Sequence, residues 1–159
     1  MRNPLLLVAA VSAFAVATLA HAQAPGYGPS INLDNAKKVT AAAAAEARRN
    51  NWSVVISIHD THGELVYLER MDDTQIASVK IAQGKGRTAA IFKRPSKALQ
   101  DGLAGGGAGW RILHLEGAVA VEGGVPIMMD GKIVGAIGVS GVTSEQDGQI
   151  ARAGTAVIK

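Results

Sequence analysis

The 159-residue sequence has no cysteine, and aromatic residues make up only 4% of it. Without cysteine the chain can form no disulfide and offers no thiolate, so an apolar core must stabilise it. The histidines are then the main candidates for binding a metal ion. The formal net charge of +3 is close to balance, and no basic stripe is interleaved with aromatic residues. These absences argue against a nucleic-acid-binding surface.

The recognisable signatures of catalysis are also missing. The sequence shows no Ser-His-Asp order, no paired-carboxylate motif, no H-E-x-x-H and no phosphate loop. The stretch GKGRTA at 84–89 imitates a dinucleotide-binding fingerprint, but it falls inside a helical pattern and no strand precedes it. Whether the protein is an enzyme therefore stays open.

The N-terminus has the parts of a secretory signal peptide. Arg2 is followed by an apolar stretch from Leu5 to Leu19, and then by the small residues of Ala20-His21-Ala22. The apolar stretch is short for a membrane span, so an uncleaved membrane anchor is the less favoured alternative. We expect a signal peptide at 1–22, no stable membrane anchor after cleavage, and a periplasmic or secreted protein.

A flexible lead-in and a single domain are predicted after the cleavage site. Residues 23–30 include the stretch APGYGPS, whose glycine and proline content is typical of a linker. Residues 31–159 are enough for one hydrophobic core and too few for two.

The first half of the domain predicts a helix and a hairpin. The alanine-rich stretch Leu33–Arg49 begins after Asn32 and ends on two arginines, which suits both ends of a helix dipole. WSVVISIHD at 52–60 and ELVYLER at 64–70 alternate in polarity, as half-buried strands do. The DTHG sequence between them suits a tight turn, because aspartate bonds turn backbone and glycine takes a positive φ.

The middle of the domain predicts a second helix and a glycine-rich connection. A helical pattern runs from Gln75 to Phe92, and Pro95 should end it. The sequence LAGGGAGW at 103–110 predicts a mobile loop, and 118–121 predicts a short strand.

The last part predicts a hairpin and a helix. GGVPIMM at 123–129 and KIVGAIGVS at 132–140 flank an Asp-Gly turn. A helix is predicted over Ser144–Val157, with Ser144 as its cap and Asp147 three residues on. The order of elements predicts an α+β domain in which helices cover a mainly antiparallel sheet.

One face of the last predicted strand carries only small residues: Val134, Ala136, Gly138 and Ser140. Either backbone or a ligand must approach such a face closely. An alanine-rich helix packed there is the first explanation, and a ligand is the alternative.

These segments, in this order, closely resemble the GlcG/HbpS family of small haem-binding-like proteins, which also forms the C-terminal domain of PduO-type adenosyltransferases. The resemblance begins at about residue 33 and is carried by five stretches: NNWSV (50–54), DTHGELVYLERMDD (60–73), GRTAA (86–90), EGGVPIMMDGKIVGAIGVSG (122–141) and EQD (145–147). It implies a profilin-like sheet flanked by helices, a symmetric homo-oligomer that is often an octamer, and, in some members, haem binding at subunit surfaces.

A haem site needs an axial ligand, apolar walls and cations for the propionates. The sequence offers side chains of these types at His59, His114, Met128, Arg70 and Arg87, with Met129 as an alternative to Met128. The candidate metal ligands are the three histidines His59, His62 and His114. We expect His62 to be exposed in its turn, and His59 to be either a core histidine or a side chain that points into a cleft.

Two functions stay open. The first is an exported haem- or tetrapyrrole-binding protein that scavenges or senses its ligand. The second is an enzyme or accessory protein that acts on a small carboxylate such as glycolate, which the resemblance to GlcG-type members suggests. Arg70 and Asp72 could then clamp a carboxylate, although a structural ion pair is the commoner use of such residues.

Overall fold

The computed structural model describes residues 24–158, so the predicted signal peptide lies outside the described residues. In chain order the elements are α1 (Leu33–Arg49), β1 (Val55–His59), β2 (Leu65–Arg70), α2 (Ser78–Ile91), α3 (Ser96–Ala104), the 3₁₀-helix η1 (Gly107–His114), β3 (Gly124–Met129), β4 (Lys132–Ser140) and α4 (Ser144–Thr155). No helix in this part of the chain has the length and hydropathy that a membrane crossing requires.

The four strands form one antiparallel sheet in the order β2-β1-β4-β3. Helices α1 and α4 cover one face, where alternate strand residues build the main apolar core: Ile56, Ile58, Ile127, Ile137 and Val139. Helix α2 covers the other face. The predicted α+β class with a mainly antiparallel sheet is confirmed.

Both hairpins follow from their turn residues. In the β1–β2 turn, the Asp60 carboxylate accepts hydrogen bonds from the backbone N–H groups of His62 and Glu64 at 2.8 and 2.9 Å, and Gly63 has φ +82°. In the β3–β4 turn, Asp130 and Gly131 have φ values of +50° and +72°, as a two-residue hairpin turn of type I′ requires.

The middle of the chain departs from the sequence-based expectation. The second helix begins at Ser78 rather than Gln75, and a further helix, α3, begins directly after Pro95. Residues 103–110 are not a loop throughout, because they include the end of α3 and the beginning of η1. Residues 118–121 are not a strand. The segment 115–123 is fixed instead by side chains of α2 and α3.

The last helix ends at Thr155, and its cap is Thr143 rather than Ser144. The side chains of Thr143 and Gln146 each accept a hydrogen bond from the other residue's backbone N–H, which is a capping box. Asp147, the residue expected to support a Ser144 cap, points into the interior and is buried.

Part of the predicted lead-in lies against the domain. Gly28 donates a backbone hydrogen bond to the carbonyl of Ile133 at 2.8 Å, and Tyr27 forms a parallel bridge with Ile133 near the start of β4. The Tyr27 hydroxyl donates to the carbonyl of Ala90 at 2.9 Å, and the Lys93 ammonium lies 4.3 Å from the Tyr27 ring centre. The lead-in is thus anchored on both the sheet and the end of α2.

Candidate functional site

Helix α2 lies very close to the small-residue face of β4. A Cβ atom placed on Gly138 would overlap the carbonyl oxygen of Ala82 and lie 2.5 Å from the backbone nitrogen of Gly86. The helix therefore occupies the space that a ligand would need. Of the two explanations for this face, helix packing is the correct one.

His59 is enclosed in this layer between α2 and the sheet. Its side chain faces α2, and the residue is 2% exposed. Nδ1 lies 3.0 Å from the carbonyl oxygen of Gly63, and Nε2 lies 3.2 Å from the hydroxyl of Ser57. Burial lowers the pKa of the ring, against the smaller raising effect of the bond to Gly63. In this position neither ring nitrogen is open to an iron.

A buried ion pair joins the same layer to α4. Lys85 of α2 and Asp147 of α4 are each 2% exposed, and the Lys85 ammonium lies 2.8 Å from the Asp147 carboxylate. The second carboxylate oxygen accepts from the backbone N–H of Val142 at 3.3 Å. Burial raises the pKa of the Asp147 carboxyl, although the Lys85 ammonium beside it acts in the opposite direction. Within residues 24–158, every buried side-chain polar atom has a hydrogen-bond partner.

Two of the predicted binding residues lie far from His59 in the sheet. Arg70 ends β2, pairs with the first residue of β1, and donates to the carbonyl of Thr74 at 2.9 Å. It lines a polar cleft of about 430 Å³ together with Arg48, Glu69 and Asp72. Met128 lies in β3 next to a register shift, two strands away from β1. The structure does not bring these side chains to one site.

The three candidate metal ligands are also separated. His62 is exposed in the β1–β2 turn, His59 is buried, and His114 is exposed at the end of η1. Among residues 24–158, no three histidine or carboxylate side chains converge as a metal site requires. Met129, the alternative to Met128, lines a separate cleft of about 430 Å³ between the start of α1 and the β3–β4 turn.

Helix η1 presents an exposed apolar row beside a basic one. A 3₁₀-helix has three residues per turn, so side chains three positions apart share a side. Trp110 and Leu113 form one row and are 64% and 69% exposed. Arg111 and His114 form the next row and are also exposed. The third row, with Ile112, packs against α3 at Gly102.

The segment 115–123 after η1 is held to α2 and α3 by side chains. The Thr88 hydroxyl accepts from the backbone N–H of Val119 at 2.8 Å. The Ser96 hydroxyl donates to the carbonyl of Val121, and the Gln100 side chain accepts from the backbone N–H of Glu122, both at 2.7 Å. These bonds fix the segment without any strand pairing.

Arg87 lies beside this segment. A Cβ atom placed on Gly117 would lie 3.7 Å from Arg87 Nε, and the Arg87 guanidinium pairs with Glu64 at 3.2 Å. Gly117 follows His114 by three residues. Of the predicted binding residues, Arg87 therefore lies beside the segment that follows His114, and its charge also reaches the enclosed ring of His59.

Sequence reasoning missed the row of Trp110 and Leu113 and did not single out Arg111. The glycines before Trp110 favoured a loop, and a period of three over six residues is a weak signal. The sequence WRILHL at 110–115 does carry that period, with two apolar rows on either side of a basic one. It was the available clue.

Comparison with known proteins places the chain among established relatives. Protein GlcG of Escherichia coli K12 is 42% identical over 105 residues, which cover 66% of this chain and 77% of GlcG. The corrinoid adenosyltransferase PduO of Salmonella typhimurium is 33% identical over 131 residues, which cover 81% of this chain and 39% of PduO.

Solved structures match the fold over most of its length. HbpS superposes with a TM-score of 0.76 at 28% identity, covering 83% of this chain and 92% of HbpS. The protein in the crystal structure of a PduOC:haem complex superposes with a TM-score of 0.74 at 30% identity, covering 82% of this chain and 96% of its own. Residues 31–156 match the family described as haem degrading protein HbpS-like. The chain therefore belongs to the HbpS-like family.

Proposed function

We propose that this protein binds haem, or a closely related tetrapyrrole, on the exposed face of η1. The observation that carries the proposal is the pair of neighbouring rows on that helix. Trp110 and Leu113 offer an apolar surface to a flat ring, while His114 and Arg111 offer an imidazole and a guanidinium beside it. These are the three kinds of group that a haem site needs.

The relatives support the same ligand class. A protein 30% identical to this chain, with a TM-score of 0.74, was solved as a haem complex. Large exposed apolar side chains on a small domain usually mark a binding surface rather than a free one. A bound tetrapyrrole would remove Trp110 and Leu113 from water.

Each residue has a separate expected part in binding. His114 would supply the nitrogen that holds the iron, because it is exposed and His59 is enclosed. Arg111 and Arg87 would pair with the propionates, since a guanidinium binds a carboxylate through two hydrogen bonds. Haem bound in this way would supply iron redox chemistry, and the chain's own groups would hold and orient it.

A haemin titration followed by the Soret band tests the proposal. The unmodified protein should show a saturable shift, and His114→Ala should weaken binding by at least about tenfold, since loss of even an outer-shell partner of a metal costs that much. His62→Ala removes an exposed histidine elsewhere and is the matched control. Trp110→Ser should also weaken haemin binding, although it leaves the histidine that holds the iron in place.

The outcomes separate the alternatives. Equal binding by the parent and by His114→Ala would exclude histidine ligation at η1. A parent without any saturable shift would exclude haem binding. The small-carboxylate function would then move ahead, and its site would be the cleft lined by Arg48 and Arg70.

We also propose that the protein is exported and works in the periplasm or outside the cell, as a scavenger or sensor of its ligand. The support is the N-terminal sequence, with its charged start, apolar stretch and small residues before Gln23. Mass spectrometry of the exported protein should give a chain that starts at or near Gln23. A chain that keeps Met1 in the membrane fraction would contradict export.

Self-association is a further part of the proposal. Its support is the family resemblance together with the exposed apolar residues of η1 and of the segment before α2, where Ile76 is 80% exposed. Light scattering at micromolar concentration should give several times the monomer mass, and a clean monomer would exclude an obligate oligomer.

A further inference from the structure

The His59 ring lies against the backbone of α2 and is closed off from water. A Cβ atom placed on Gly86 would lie 2.5 Å from His59 Cδ2 and 2.9 Å from Nε2, so the ring is in direct contact with the helix backbone. With 2% of the residue exposed, water does not reach the ring. The ring can gain water only if α2 or the β1–β2 turn moves away.

The hydrogen bonds around the ring form a short chain that can accommodate an added proton on Nε2. Nδ1–H donates to the carbonyl of Gly63, and Nε2 faces the Ser57 hydroxyl, which also reaches the carbonyl of Gly138 at 3.3 Å. When the ring is neutral, Ser57 can donate its single hydroxyl hydrogen either to Nε2 or to the carbonyl of Gly138, but not to both. In the protonated ring, Nε2–H donates to Ser57 and Ser57 donates to Gly138, so all three donors have acceptors.

This chain of hydrogen bonds gives the protonated ring an acceptor for each N–H group within the folded protein. The cost that remains is the burial of a charge. Of the charged groups around the ring, Asp60 and Glu64 on the adjoining turn favour the proton, and Arg87 on α2 opposes it. Lys85, also on α2, is already paired with Asp147, and β4 presents the uncharged Ala136 opposite His59.

We propose that His59 is a buried proton switch, and that its protonation loosens the packing of α2 against β1 and β4. Burial lowers the pKa of His59 below its ordinary 6.5, so the tightly packed state binds the proton less well than a state in which the ring meets water. At pH values above 6.5 the packed state keeps its full stability advantage over the open state. As the pH falls from 6.5 towards the lowered pKa of His59, this stability advantage is lost progressively.

The switch is connected to the segment that follows η1. Thr88 holds Val119 from the next turn of α2 after Gly84, and the Val119 side chain packs against Gly84 itself. Movement of α2 would therefore loosen residues 115–121 as well. Acidification should then weaken haem binding at η1, a consequence that rests on the proposed function, whereas the switch itself does not.

Hydrogen exchange of the purified protein, read by mass spectrometry over residues 78–91, tests the switch at about pH 7.5 and about pH 5.5, on either side of the ordinary histidine value. After correction for the intrinsic pH dependence of exchange, α2 should exchange several-fold faster at the lower pH in the unmodified protein. His59→Gln, which cannot take up a proton, should abolish the difference, and His62→Gln should retain it. Equal responses in the parent and in His59→Gln, or no response in the parent, would overturn the proposal.

A second measurement covers the case in which His59→Gln does not fold. Histidine-labelled protein is titrated by NMR, with His62→Gln and His114→Gln used to assign the exposed rings. The His59 ring should titrate with a midpoint below 6.5, and α2 amide signals should shift with the same midpoint. A midpoint at or above 6.5, or α2 signals that ignore it, would overturn the switch. Failure of haemin to bind at either pH would overturn only the proposed function.

Discussion

Gly86 is one of the residues at which α2 lies directly against the sheet. A Cβ atom there would lie 2.5 Å from His59 and 3.0 Å from the backbone nitrogen of Gly138, and Gly138 lacks a side chain for the same reason. In an isolated helix, alanine in place of glycine is worth about 1 kcal/mol. The close approach therefore decides the sign of a substitution, and overpacking should exceed the gain in helix propensity.

Gly86→Ala should lower the free energy of unfolding by about 1–3 kcal/mol, the usual cost of an added methyl group in a packed interior. Urea unfolding followed by circular dichroism measures it. Gly105→Ala is the matched control, because a Cβ there meets only carbonyl oxygens at 3.5 and 3.6 Å and the backbone φ is −67°. A change of no more than about 0.5 kcal/mol is expected for the control. A stabilised Gly86→Ala would show that α2 is not tightly packed.

Individual side chains were the least predictable part of the candidate site. Strand alternation correctly placed His59 on the same face as Ser57, but it could not by itself decide between a core position and a cleft. What decides between them is Gly86, 27 residues further along the chain, whose missing side chain lets α2 close over the ring. Contacts between residues so far apart leave no periodic signal in a single sequence.

At the scale of elements, the choice of cap for α4 shows how two local signals compete. Both T-x-x-Q at 143–146 and S-x-x-D at 144–147 suit a helix start. The structure uses the first, because Asp147 turns inward to meet Lys85 and is lost to capping. A tertiary contact thus shifts the helix start by one residue.

Thr143→Ala should lower the free energy of unfolding by about 1 kcal/mol, since it removes the side chain that accepts from the backbone N–H of Gln146. Ser144→Ala, one residue later, should change it by less than about 0.5 kcal/mol. Thermal or urea unfolding of the two variants side by side gives the comparison. A larger effect at Ser144 would mean that the helix begins one residue later in solution.

Elements with a local cause were predicted well. The Asp130-Gly131 turn specifies its hairpin, and the alanine-rich α1 has the predicted bounds Leu33–Arg49. The stretch from 93 to 123 was predicted poorly, because the segment after η1 is held by Thr88, Ser96 and Gln100 rather than by a pattern of its own. The part of the chain that carries the proposed haem surface is therefore the part that a local reading describes least well.

At the scale of the whole molecule, the Lys85–Asp147 pair links the two helical layers. Helix α2 lies on one face of the sheet and α4 on the other, and the pair passes the start of β3. Gly123, with φ +129°, leaves room for it, because a Cβ there would lie 2.9 Å from the Lys85 ammonium and 3.0 Å from Asp147. Gly123, just before β3, is thus explained by a contact between layers rather than by the strand.

Lys85→Met keeps the length of the side chain and leaves the Asp147 carboxylate buried without its cation. The free energy of unfolding should fall by about 3–5 kcal/mol, because an uncompensated buried charge costs far more than a pair contributes. Lys97→Met is the matched control: Lys97 and Asp101 are also 2.8 Å apart, but both are exposed to water, so this substitution should leave the free energy of unfolding nearly unchanged. Adding Asp147→Asn to Lys85→Met should recover part of the loss, since the neutral amide can still accept from Val142. Urea unfolding of the four proteins forms the comparison, and equal effects of the Lys85 and Lys97 substitutions would show that the layers are held together by apolar packing alone.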